Sequence, residues 1–172
     1  MEKKKPTSKK PWRVVTLLAT VLALAACQEK IDFPIEPQIT YNGFLYLIDA
    51  DSTLTGEGIL SIDYTDGDGD LGLDDTDTVS PFGIGDPYYY NLLIDYFRWD
   101  GSQFVADTLH FNARFKRLST TDEPKAIFGT IDNRMMLRNP LHPHDTFQLQ
   151  IRIVDRALHL SNTVVTEPLC FN

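Results

Sequence analysis

Cysteine is scarce. Two in 172 residues are too few for a disulfide framework. Positive charge is also short. Sixteen Lys and Arg face 24 Asp and Glu, a net charge of −8, and such a balance argues against a nucleic-acid partner, whose phosphates attract the opposite sign. A membrane span takes about 20 apolar residues; the longest apolar run, Val14 to Ala26, has 13. No window sustains an apolar 3.6-residue period, which leaves no amphipathic helix to build with. There is no internal repeat or low-complexity segment. Nor is there a G-x-S-x-G elbow, an H-E-x-x-H pair or a phosphate-binding G-x-x-x-x-G-K-[ST] loop. What remains is ordinary globular composition, 42% hydrophobic and 23% charged, at a length that suits one domain.

The charge is unevenly placed. Residues 1–26 hold Lys3, Lys4, Lys5, Lys9, Lys10 and Arg13 against the single acid Glu2. A basic head, a short apolar core and small closing residues are the parts of a secretory signal peptide. Leu24-Ala25-Ala26-Cys27 resembles the bacterial lipobox, which implies that Cys27 is lipidated and becomes the first mature residue. The expected organisation is a signal peptide over 1–26, the lipidated Cys27 and a tether over 27–38, and one domain over 39–172. Setting residues 1–26 aside brings the net charge to −13. Lipid on one cysteine anchors a protein to a membrane without spanning it. Cys170, left without a partner between Leu169 and Phe171, is expected as a buried, inert thiol.

Beyond the tether the pattern is β. Phe147, Leu149, Ile151 and Ile153 alternate with Gln148, Gln150 and Arg152, the period of a strand with one wet face. Tyr90–Trp99 and Phe111–Phe115 alternate in the same way. Ile39–Ile48, Gly58–Tyr64, Gln103–Thr108, Ala126–Ile131 and Asn162–Phe171 are further strand candidates, and Arg134–Arg138 reads as one helical turn. The expected fold is all-β: a single antiparallel sandwich of about seven or eight strands. Residues 65–87 form a long irregular stretch, and such stretches in compact domains are functional-loop candidates.

That stretch carries the main chemical signal, Asp66-Gly67-Asp68-Gly69-Asp70-Leu71-Gly72, followed by Asp74, Asp75 and Asp77. Clustered carboxylates repel one another, and a hard cation relieves the repulsion. Calcium accepts six to eight oxygens at flexible geometry, magnesium demands stricter octahedral geometry, and zinc would call for Cys or His. The expected cation ligands are Asp66, Asp68, Asp70, Asp74 and Asp77, with Asp155 added if its turn lies at the same end of the sandwich. Asp66, Asp68 and Asp70 match the first alternate positions of an EF-hand loop. Leu71 stands where that loop needs Gly, Asp77 where it needs Glu, and the flanks read as strands, so only the ligand logic carries over. Gly67 to Gly72 also spells G-x-G-x-x-G, but no helix follows and the Asp residues would repel a pyrophosphate.

Asp155-Arg156-Ala157-Leu158-His159-Leu160-Ser161 resembles the Asp-x-Ala-Gly-Asn-x-Ser turn that joins the last two strands of bacterial immunoglobulin-like and cadherin-like domains, with Leu158 and His159 replacing Gly-Asn. Together with the lipobox and the Asp-Gly-Asp-Gly-Asp-Leu-Gly loop, the chain resembles small cell-envelope lipoproteins of Bacteroidetes-type bacteria that carry an immunoglobulin-like domain. The resemblance implies an immunoglobulin-like sandwich, lipid anchoring in the envelope, expected at the outer membrane facing the periplasm or the surface, and structural Ca²⁺. It implies no known activity.

The functional expectation is a non-catalytic binding or structural module with a protein or glycan partner. The alternatives are a glycan-binding accessory lipoprotein of a polysaccharide-uptake system and a metal-dependent hydrolase using the acidic loop. His142-Pro143-His144 lacks a third metal ligand at usual spacing and reads as an exposed loop. Tyr88, Tyr89, Tyr90, Phe97 and Trp99 are candidates for an aromatic platform, although alternate strand residues must face opposite ways. Arg114, Lys116 and Arg117 are expected on a solvated strand face.

Overall fold

A computed structural model describes residues 32–48, 50, 54–119, 121, 123–136 and 146–170. Residues 1–31, with the expected signal peptide and Cys27, and the His142-Pro143-His144 stretch lie outside the described residues.

Eight strands follow one another: β1 (Gln38–Ile48), β2 (Leu54–Asp66), β3 (Leu92–Trp99), β4 (Phe104–His110), β5 (Ile127–Met136), β6 (Thr146–Ile153), β7 (Val164–Val165) and β8 (Leu169–Cys170). No helix occurs among the described residues. One sheet has the order β1-β2-β5, the other β4-β3-β6-β7 with β8 also on β6. All the strand pairs are antiparallel. This is an antiparallel β-sandwich in which the fourth strand joins the sheet of the third and sixth.

The alternation in the sequence is the alternation of burial. On β6, Phe147, Leu149, Ile151 and Ile153 are each at most 1% exposed. They meet Leu92, Ile94 and Tyr96 of β3 on the same sheet and Leu60, Ile62, Ile131 and Met135 from the other. Tyr96 stacks on Phe147 at 5.0 Å. Burying side chains of this size contributes about 1.5–3 kcal/mol each, so the facing apolar rows hold the two sheets together.

Three expectations about the elements are corrected. Arg134–Arg138 is not a helical turn over its described part, because Arg134, Met135 and Met136 continue β5, paired with Ile59, Gly58 and Glu57 of β2. Phe111–Phe115 is not a separate strand. Ala113 exchanges two backbone hydrogen bonds with Leu92, but Asn112 Oδ1 accepts from the Ile94 amide and Asn91 Oδ1 from the Phe115 amide, so asparagine side chains fill rungs that a strand would supply. The last strand is split into β7 and β8 at Thr166 to Pro168. There the Leu149 amide donates to the Thr166 hydroxyl, and Pro168 has no amide hydrogen to offer. Cys170 is half-buried and a free thiol.

Candidate metal centre

Asp66 is the last residue of β2, in register with Ile127 of β5. The ladder therefore fixes the direction of its carboxylate before the irregular stretch begins. That carboxylate is 0% exposed, and neither oxygen has a hydrogen-bond partner. The chain then turns tightly. At Gly69, with φ +75°, an added Cβ would lie 2.3 Å from the Lys125 carbonyl oxygen, so the residue must be glycine. The Lys125 amide donates to the Asp68 carbonyl at 3.1 Å. Leu71, in the place of the EF-hand glycine, is 0% exposed and belongs to the core. It pins the acidic loop to the sandwich.

The closing turn after β6 reaches the same end. Asp155 is 1% exposed. Its Oδ1 accepts from the His159 amide at 2.7 Å and its Oδ2 lies 2.9 Å from His159 Nδ1. Asp70 Oδ2 accepts from the Ala157 amide at 3.0 Å, linking loop and turn. Leu158 holds φ at +71°, the left-handed conformation for which the resembling turn carries glycine. That conformation costs a leucine about 1–2 kcal/mol, and the hydrogen bonds around Asp155 hold it in place.

Asp66, Asp70 and Asp155 thus converge, each with an oxygen within 4.8 Å of the others. Oxygens on opposite sides of Ca²⁺ at about 2.4 Å lie about 4.8 Å apart, so three atoms inside that span fit one shared ion. Asp68 and Asp70 each turn a further buried oxygen inward without a partner. Burial, then the charges of Asp68, Asp70 and Asp155, push the Asp66 carboxyl up to about 7. Burial and the Asp155 charge raise Asp70. Burial also raises Asp155 against the opposing His159 hydrogen bonds. A buried carboxylate without a partner is costly unless it is protonated or compensated by a cation.

Asp74 and Asp77 are placed elsewhere. Arg156 Nη1 and Nη2 reach the two Asp77 oxygens at 2.5 and 3.1 Å, and Nη1 lies 3.4 Å from Asp74 Oδ2. These two carboxylates have a cation of their own. Arg114, expected on a solvated face, is part-buried: it donates to the carbonyls of Asp74, Asp77, Phe82 and Tyr89 and lies 5.2 Å from the Tyr89 ring centroid. It is the clasp of residues 74–89. The Lys116 ammonium pairs with the exposed Asp75, and Arg117 donates to the Thr121 carbonyl. Of the aromatic residues, Tyr89 and Tyr90 meet edge to face at 4.9 Å and Trp99 leans on Phe104.

Compared with known proteins, the chain matches no family model, and no curated protein matches it.

Proposed function

We propose that this protein is a lipid-anchored module of the bacterial cell envelope, non-catalytic, whose sandwich is stabilised by calcium held between the acidic loop and the closing turn. One observation carries the cation reading: the Asp66 carboxylate is fully buried and both its oxygens lack a partner, with Asp70 and Asp155 beside it. Asp66, Asp70 and Asp155 would hold the ion, with Asp68 completing the set. A hydrolytic metal needs a coordination position open to substrate; the burial of Asp66 and Asp155 favours a closed, structural site instead. The lipobox at Leu24 to Cys27 supports the anchor, and the envelope location follows from it.

The glycan-binding alternative draws on an open cavity of about 540 Å³ lined by Asp75, Asp77, Phe82, Tyr89 and Arg114 among others. Arg114 is already committed to four carbonyls, which leaves that cavity little free hydrogen-bonding power for a sugar.

Two measurements test the reading. Palmitate labelling in a bacterial host should tag the full-length chain and not the Cys27→Ser variant; label persisting on the variant refutes the anchor. Calorimetric titration of calcium into the purified full-length protein should give a dissociation constant in the sub-millimolar to millimolar range of extracellular modules. Asp66→Asn should abolish the heat, and equal heats from both proteins would refute the site.

A further inference from the structure

The chain segment that leads out of the domain toward Cys27 lies against the two segments that supply the carboxylates. The Gly67 amide, between Asp66 and Asp68, donates to the Pro34 carbonyl at 2.8 Å. The approach is so close that a Cβ on Gly67 would lie 2.3 Å from the Phe33 carbonyl oxygen and 2.7 Å from that of Pro34; glycine is the residue that permits it. The Phe33 ring meets the Phe128 ring edge to face at 6.3 Å. Pro37 is buried. At the next step Ile39 exchanges two hydrogen bonds with the Asn162 side chain, its amide donating at 2.7 Å and its carbonyl accepting at 2.9 Å. Asn162 directly follows the turn that carries Asp155. Residues 33–36 therefore bond to the acidic loop at Gly67 and lie beside the closing turn, where the Glu36 charge reaches His159.

We propose that the cation site regulates the membrane tether: an ion drawing Asp66, Asp70 and Asp155 together also clamps residues 33–38 against the domain. The inference rests on the cation and anchor readings above. The loop bonds to this segment through Gly67 and Pro34 and the turn faces it across His159 and Glu36, so whatever fixes their separation fixes its seat. Release of residues 33–38 up to β1 frees about 20 Å of extended chain. The ion then decides how much of the chain before β1 is held to the domain. Coupling of this kind is reciprocal: a change that opens the clamp must weaken the ion by the same factor.

The test uses the full-length protein in detergent. Hydrogen exchange of the Gly67 and Ile39 amides, which donate to Pro34 and Asn162, is followed in calcium and in chelator, and calcium affinity is measured for the native chain and for Phe33→Ala. Phe33 offers no side-chain oxygen to an ion and is only half-buried, so the variant keeps its fold and its carboxylates. Calcium should slow exchange of these amides at least tenfold, and Phe33→Ala should weaken calcium at least threefold. If calcium binds the native chain but either effect is missing, the clamp is overturned and the cation site stands. If the native chain binds no calcium, the cation reading fails and the clamp falls with it.

Discussion

Saturating calcium should raise the melting temperature of this protein by about 5–10 °C. An ion that binds the folded state and not the unfolded chain stabilises by mass action, about 2.7 kcal/mol at a hundredfold excess over the dissociation constant. For a domain of this size that free energy corresponds to a shift of this order. The net charge of −13 beyond residue 26 means that any salt also relieves self-repulsion, so sodium at matched ionic strength is the necessary control. Asp68→Asn combined with Asp70→Asn should abolish the calcium-specific part. In chelator the same double change should be mildly stabilising, because it removes like charge beside Asp66. Identical melting curves in calcium and in matched sodium would leave the acidic loop without a cation.

The sandwich was legible because the central strands β2, β3 and β6 each keep one face in the core. The row from Phe147 to Ile153 is readable for that reason alone. Legibility failed where the chemistry of a residue masked its position. Arg134 suggested helix, yet it stands on the wet face of β5, where its Nε donates to Glu57 Oε2 at 2.9 Å, while Met135 beside it is buried. Phe111–Phe115 had the right period, but Asn91 and Asn112 side chains bond where a ladder partner would. Asparagine's ability to imitate backbone is not visible in a periodicity.

The site was half legible. Carboxylate density located the loop, and the resemblance of the closing turn brought in Asp155. Density could not say which carboxylates converge. Asp66, Asp70 and Asp155 meet because β2 and β6 end at the same end of the sandwich. Asp74 and Asp77 go to Arg156, the neighbour of Asp155, and nothing in the spacing assigns that partner. The seat of Asp66 at the end of a ladder, with both oxygens buried, is a property of register. Arg114 was read as solvated because its four acceptors are spread from Asp74 to Tyr89 and are backbone carbonyls, which sequence cannot distinguish.

Without calcium the protein should lose stability as pH rises from about 4 to 7, opposite to the common behaviour of acidic domains. Asp66 titrates near 3.8 as an ordinary carboxyl and near 7 in the folded protein. Between those values the folded state keeps a proton that the unfolded chain has released. By linkage, the Asp66 contribution to stability then falls with rising pH across that window and levels off above it. The raised carboxyls of Asp70 and Asp155 act in the same direction. Raised by its Asp155 hydrogen bond, His159 extends the decline above its ordinary range, since a favoured imidazolium is lost as pH rises. For Asp66 alone the full effect is about 4 kcal/mol, at 1.36 kcal/mol for each tenfold change in proton affinity. Calcium should cancel the slope, because it binds the ionised carboxylates and so binds more tightly as pH rises. Chemical denaturation of the full-length protein in chelator at pH 4.5, 5.5, 6.5 and 7.5 measures this directly. Asp66→Asn should flatten most of the decline and leave the chelated protein more stable than native at pH 7.5. A chelated native protein that gains stability over the same range would mean that Asp66 is solvated in the folded state, and the metal centre would lose its central residue.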